Sequence, residues 1–314
     1  MYSIFTSMKV FSDHWVGHPS LNKYGLHRKR LKVAQAISNF RRAQTVRVRD
    51  AHEQRLMDDG FVAIENFLPD AEFAALRDEC HAAAEAAETA NPPPEKPEVM
   101  GFGDSDRHDW GFDRFDGSTL NRFINPGPIA AAFPRNGRFK RLARLVCGKT
   151  MSARRNWLYQ TINGDEREFH DQQREFHRDT FFNCMKYWYF IDPVTEDDGP
   201  FVYVPGSHKL TPERMAWEEK KAEAAVEARV EWERRTAAGE SSPTRAGMTG
   251  SFRIEEEEFA EMDLPEPQAY PVPGNTLVVA NVFGFHRRGD AVPGTRRLSL
   301  YGNHRPQPFI PIGS

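Results

Sequence analysis

Hydrophobic spacing along the chain changes character three times. Val33, Ala34, Ile37 and Phe40 recur at helical spacing, with Arg28, Lys32, Gln35, Asn39 and Arg42 between them. This predicts a basic amphipathic helix over about 27–43. Gly60-Phe61-Val62-Ala63-Ile64 then reads as a short strand. Pro69-Asp70 opens a helix through Phe73, Leu76 and Cys80, with Asp70 as its expected N-cap. Asn91-Pro92-Pro93-Pro94 ends it. Residues 100–126 mix Gly, Asp and aromatics, a loop composition, and 136–147 predicts another helix. From Asn156 the spacing becomes that of short strands: Trp157–Ile162, Met185–Ile191, Phe201–Val204, Asn275–Val282 and Arg297–Gly302. Among them lies a charged segment, 211–262, whose WEEKKAEAAVEARVEWERR portion is helical by composition and whose SSPTRAGMTG portion reads as a flexible turn. Helices first and short strands later predict a mainly β protein with flanking helices, a jelly-roll carrying a helical insertion.

Composition narrows the class. Residues 1–50 hold ten Lys or Arg against two acids, so we divide the chain into a basic arm, 1–50, and one domain, 51–314, interrupted at about 211–262. The whole chain has 39% hydrophobic residues and a net charge of −3, which is globular and argues against nucleic acid as a partner. No apolar run approaches the roughly 20 residues of a membrane span, and the N-terminus lacks the pattern of a secretory signal. Cys80, Cys147 and Cys184 are far apart and suggest no disulfide framework, which fits a cytoplasmic protein. The 27–43 helix could instead pack on the domain or rest on the inner face of a membrane as a peripheral contact.

The candidate chemistry centres on His177-Arg178-Asp179 and His286. On a strand, residues i and i+2 share a face, so His177 and Asp179 can meet one metal ion. His286 completes the set if its strand lies alongside. Two imidazoles and a carboxylate leave three positions open on an octahedron, the arrangement suited to non-haem Fe(II). Arg297, Ser299 and Tyr301 alternate with Leu298 and Leu300 and so share one face. A guanidinium inside a barrel needs a carboxylate partner. A structural salt bridge would satisfy it, and so would the distal carboxylate of 2-oxoglutarate with a neighbouring hydroxyl donor.

These residues carry a family resemblance. Tyr159-Gln160, His177-x-Asp179, the run KYWYFIDPVTEDDGPFVYVPGSHK (186–209), His286 and Arg297-x-Ser299 resemble the phytanoyl-CoA dioxygenase family of 2-oxoglutarate oxygenases over roughly 55–310. The resemblance implies a double-stranded β-helix (cupin-like) core with Fe(II) held by His177, Asp179 and His286. It implies 2-oxoglutarate as co-substrate bound by Arg297, Gln160 facing the site, O2 as oxidant, and ascorbate as an aid in vitro. Halogenating relatives lack the carboxylate that Asp179 supplies, so hydroxylation, desaturation or ring formation is implied. Several relatives carry a small hydroxyl residue two positions after the distal histidine, where this chain has Arg288. The substrate is expected to be a small molecule or a lipid-like one. A non-catalytic jelly-roll that binds metal or ligand is the alternative. No motif names the substrate or the oligomeric state.

Other residues carry weaker signals. His170 and His208 read as a loop and a turn histidine rather than as ligands, and Cys184 as core. Arg174, Phe181, Lys186, Trp188, Phe283 and Arg288 flank the metal strands, and alternation should turn half of them away. The 100–116 segment, with Arg107, His108, Asp109, Trp110 and Phe112, reads equally as a lid or as an ordinary surface loop.

Overall fold

The computed structural model describes residues 2–45, 47–94, 105–149, 156–165, 167, 169–240 and 247–311. Thirteen strands are present among them: β1 (Phe61–Ile64), β2 (Ser105–His108), β3 (Gly111–Asp116), β4 (Thr119–Ile124), β5 (Trp157–Ile162), β6 (His177–Arg178), β7 (Met185–Phe190), β8 (Phe201–Tyr203), β9 (Phe252–Arg253), β10 (Gln268–Tyr270), β11 (Thr276–Asn281), β12 (His286–Arg288) and β13 (Arg296–His304). The helices are α1 (Pro19–Lys23), α2 (Leu26–Thr45), α3 (Ala51–Asp59), α4 (Asp70–Ala90), α5 (Pro128–Ala132), α6 (Gly137–Cys147), α7 (Pro212–Ala237) and α8 (Glu257–Glu261).

The strands form two antiparallel sheets, the larger in the order β1-β11-β7-β13-β5-β4-β3-β2 and the smaller β10-β8-β12-β6-β9. Alternation sorts the side chains into layers. Tyr187, Tyr189, Leu277, Val279, Leu298 and Leu300 leave the larger sheet on one face, where Leu76, Phe139 and Leu142 of the helices meet them. Phe190, Val278 and Ala280 leave it on the other face and pack between the sheets with Phe201 and Tyr203. The smaller sheet's outer face carries Val202, Phe252 and Phe285, covered by Trp217 of α7 and by Phe11 of the N-terminal arm. The jelly-roll is therefore sandwiched between two helical layers.

Helix ends follow local chemistry. Asp50, Asn136 and Thr211 accept from the backbone N–H groups of Glu53, Phe139 and Arg214 and so open α3, α6 and α7. The expected cap at Asp70 is not formed: Pro69 holds the cap position, and Asp70 lies in the first turn, where its charge favours the helix N-terminus. Gly60 ends α3 at φ 82°, and a Cβ there would lie 2.3 Å from the His208 ring.

The loop expected over 100–126 is instead, from 105 to 124, a meander that extends the larger sheet; 100–104 lie outside the described residues. Its glycines and aspartates mark the turns between strands. Asp116 pairs with Thr119 around a two-residue connection in which Gly117 has φ 59°. The SSPTRAGMTG turn lies partly outside the described residues, at 241–246. In α2 the buried stripe is His27, Arg30, Leu31, Ala34, Ser38 and Arg41, whereas Val33 and Phe40 face outward. No helix among the described residues is long and apolar enough to cross a membrane.

Asn275 joins the helical layer to the larger sheet. It sits at φ 59°, a conformation asparagine tolerates. Its Nδ2 donates to Leu68 O (2.9 Å), while its Oδ1 accepts from Leu68 N (3.0 Å) and from the Tyr189 hydroxyl (2.7 Å). Asn275→Ala should cost about 2–4 kcal/mol, because it strands buried polar groups. Urea unfolding measures this, and a loss below about 1 kcal/mol would show that water replaces the side chain.

Candidate metal centre

β12 runs antiparallel to β6 with His286 directly opposite His177. The two imidazoles lie 4.5 Å apart between ring centroids. Asp179 follows two residues after His177, its N–H donating to Val282 O at 2.9 Å. Its Oδ1 lies 3.6 Å from His177 Nε2. One ligand atom from each of the three buried residues falls within 4.8 Å of the others.

The histidines are prepared as neutral donors. His177 Nδ1 lies 2.8 Å from Glu175 O, and His286 Nδ1 lies 3.0 Å from Gly284 O. A carbonyl only accepts, so each Nδ1 carries the proton and each Nε2 keeps its lone pair. His286 Nε2 is buried without a hydrogen-bond partner. Burial and the neighbouring His177 push the His286 imidazole down to about 3, and burial lowers His177 as well. Burial alone would raise the Asp179 carboxyl, but the positive charge of Lys186, aided by Arg305, holds it well below the usual range. Lys186 Nζ lies 2.6 Å and Arg305 Nη2 3.5 Å from Asp179 Oδ2. An orphaned imidazole nitrogen on His286, the Nε2 of His177 and a carboxylate oxygen form a donor set that fits a divalent metal such as Fe(II).

A cleft open to solvent, with an enclosed volume of only about 70 Å³, reaches both histidines. Arg297 lines it from β13, as does Tyr301, so the alternation read from the sequence holds. Burial and the nearby Arg288 push the Arg297 guanidinium down to about 10. Its Nη1 donates to Gly199 O, and its Nε has no partner. Ser299 is buried on the same strand, paired with Tyr159 and Phe190.

Gln160 is the misplaced residue. It lies opposite Leu298, on the helix-facing side of the larger sheet, and its Nε2 donates to Glu88 Oε1 of α4 at 2.7 Å. Its neighbour Tyr159 lines the cavity instead. A one-residue step along a strand reverses the face, and family correspondence alone did not fix it.

The flanking candidates divide as alternation requires. Lys186, Trp188 and Arg288 line the cavity, whereas Phe181, Phe283 and Cys184 pack in the core against α2. Arg174 is not among the lining residues. Arg288 is held by Asp171 (2.5 Å) and Asn121 (3.0 Å). His170 is exposed and pairs with Glu175 at 2.7 Å, and His208 Nε2 lies 3.2 Å from Met57 O, so neither joins the metal cluster. In the 105–116 hairpin, His108 stacks on Trp110 and Trp110 donates to Asn91, away from the cavity. Arg114 and Asp116 of the same hairpin do line it. Their i, i+2 spacing is visible in the sequence, but the Gly- and Asp-rich composition around them is that of a loop.

A jelly-roll with a buried His/Asp/His cluster and a cavity arginine is the architecture of the Fe(II)- and 2-oxoglutarate-dependent oxygenases. The phytanoyl-CoA dioxygenase (PhyH) family matches residues 56–249, and the chain belongs to that family. No curated protein matches the sequence. Similar solved structures include the epimerase SnoN with Fe3+, α-ketoglutarate and nogalamycin RO (14% identity, 80% of this chain and 81% of that chain, TM-score 0.44). HygX from Streptomyces hygroscopicus with nickel and 2-oxoglutarate is another (15%, 82% and 87%, 0.43). EctD from S. alaskensis with bound Fe is a third (13%, 82% and 76%, 0.43).

The buried histidines have a thermodynamic consequence. Burial pushes His208 down to about 4 and His286 to about 3, from an ordinary 6.5. Below 6.5 the unfolded chain binds protons that the folded chain does not, so stability is complete above that value and is lost as pH falls. The melting temperature of metal-free protein should drop between pH 6.5 and 4, and His208→Gln should flatten the slope. An unchanged slope in that variant would assign the effect to other groups.

Proposed function

We propose that the protein hydroxylates an unactivated C–H bond of a small-molecule or lipid-like substrate, with release of succinate and CO2. The observation that carries this reading is the convergence of two neutral imidazole nitrogens and one carboxylate oxygen at a cavity that Arg297 also lines. In this reading His177, Asp179 and His286 hold Fe(II). Arg297, with Ser299 beside it, takes the distal carboxylate of 2-oxoglutarate. When bound, Fe(II) with 2-oxoglutarate and O2 supplies the oxidising power for C–H attack.

The chain's own residues do the binding. Trp188, Phe190 and Phe201 form an apolar wall of the cavity beside the histidines. Phe123, Tyr159 and Tyr301 form an aromatic floor, with Tyr159 4.9 Å from each of the other two rings, on which an apolar part of the substrate can lie. Arg114 and Asp116, 2.9 Å apart, offer a donor and an acceptor at the same wall.

His177→Ala, Asp179→Ala and His286→Ala should each abolish succinate formation from 2-oxoglutarate with Fe(II) and ascorbate. A variant that keeps near-wild-type turnover is not missing a ligand. Wild-type protein that makes no succinate with any substrate, yet binds metal, would favour the non-catalytic alternative. Arg297→Ala should raise the 2-oxoglutarate requirement on the order of 100-fold while sparing metal binding, since a charge-assisted bidentate contact is lost. An unchanged requirement would move the carboxylate to another arginine.

The outward stripe of Val33 and Phe40, with the half-buried Ile37 between them, supports a peripheral contact of α2 with anionic membrane. Sedimentation with anionic vesicles at low and high salt tests it. Protein that stays in the supernatant at low salt removes this part of the proposal.

A further inference from the structure

The strand that carries the metal cluster has little ladder to hold it. β6 is two residues long, and it pairs with β12 at one position and with a two-residue partner, β9. Two or three backbone pairings do not fix the direction of side chains that must meet a metal within a few tenths of an ångström. Additional restraint comes from the residue between the two cluster members. By alternation, Arg178 points away from the cavity, into the layer of α7 and the N-terminal arm.

There it meets Glu218. Arg178 Nε donates to Glu218 Oε1 at 2.7 Å and Nη2 to Oε2 at 2.6 Å, a bidentate fork. Arg178 Nη1 donates to Gly250 O at 2.6 Å, and the guanidinium lies 4.1 Å over the Phe252 ring. Both residues are fully buried. The carboxylate is saturated from two further elements: Arg214 Nη2 reaches Oε1 at 3.1 Å, and His27 Nε2 lies 3.0 Å from Oε2. Lys9 adds a contact to the strand itself, donating from Nζ to the main-chain oxygen of Asp179 at 2.6 Å.

We propose that Arg178 and Glu218 are a positioning pair for the metal site, with the insertion helix and the N-terminal arm as its supports. The inference rests on His177, Asp179 and His286 being the iron ligands. A fork with two parallel hydrogen bonds fixes both the distance and the plane of the guanidinium, and so the rotation of the backbone that carries it. That rotation sets where His177 and Asp179 aim. Outer partners of metal ligands typically control 10- to 100-fold in metal affinity. The insertion supplies Glu218, Arg214, Gly250 and β9, and the arm supplies His27 and Lys9. One segment precedes the domain in the sequence and the other interrupts it, yet both converge behind the same two-residue strand.

The test is anaerobic Fe(II) titration of the full-length protein, paired with the visible ligand-field spectrum of the Co(II) form. Glu218→Gln keeps the shape and removes the charge. It should raise the Fe(II) dissociation constant on the order of tenfold and alter the Co(II) spectrum, with the far-ultraviolet dichroism retained. Glu219→Gln, at the neighbouring residue that pairs with the exposed Arg28, should leave both unchanged. A Glu218→Gln protein with wild-type affinity and spectrum overturns the positioning role, whatever its melting temperature, because a merely stabilising pair would move only the latter. If Glu218→Gln does not fold, the triple variant Arg178→Met/Arg214→Met/Glu218→Met removes the buried arginines together with their carboxylate. It should fold and still bind Fe(II) weakly, and wild-type affinity there overturns the proposal equally. Wild-type protein that binds no Fe(II) refutes the ligand assignment, and the positioning role falls with it.

Discussion

The antiparallel pairing of His286 with His177 is the contact around which the molecule is arranged. It requires β12 and β6 to be neighbours in the smaller sheet, and so a crossing of the chain between sheets on either side. The cavity follows, because the histidines face the larger sheet, whose inner face presents Trp188, Phe190 and Arg297. The neutral state of the imidazoles follows as well. The Glu175 and Gly284 carbonyls take the Nδ1 protons, and burial disfavours a second proton on either ring.

Charge is distributed in two shells around that pairing. Around the cavity Asp179 is flanked by Lys186 and Arg305, while Arg288 is matched to Asp171 and Arg114 to Asp116. Behind the smaller sheet, Glu218 gathers Arg178, Arg214 and His27. Burying so many ions is expensive unless each is paired and hydrogen-bonded. Arg297 is the cavity arginine whose described polar contact is a carbonyl rather than a carboxylate, which suits a residue with an anionic ligand to receive.

Most of the architecture and the metal cluster could be read from spacing. Strict alternation at Arg297–Tyr301 marks the cavity face of β13, and H-x-D puts two candidate ligands on one face. The meander at 105–124 escaped because turn residues at two tight connections outweighed strands of only four to six residues between them. Gln160 escaped because family correspondence names a position but not a face. In α2 the apolar residues Val33 and Phe40 marked the wrong face: the buried stripe holds Arg30, Arg41 and His27, whose polar ends find carbonyl and carboxylate partners. Glu218 was invisible for a related reason. Within a run of charged residues at helical spacing, nothing distinguishes a buried carboxylate from its solvated neighbours until the arginine it serves is located.

The span of these contacts bears on biosynthesis. Lys9 meets Asp179 across 170 positions, and His27 meets Glu218 across 191. The arm leaves the ribosome ahead of the domain and cannot dock until most of that domain has been made. Throughout that interval a strongly basic segment is without its acidic anchor. Such long loop closures are slow to form and leave apolar surface uncovered meanwhile. The arm is thus among the last parts to settle, and the strand that carries His177 gains its backing only when it does.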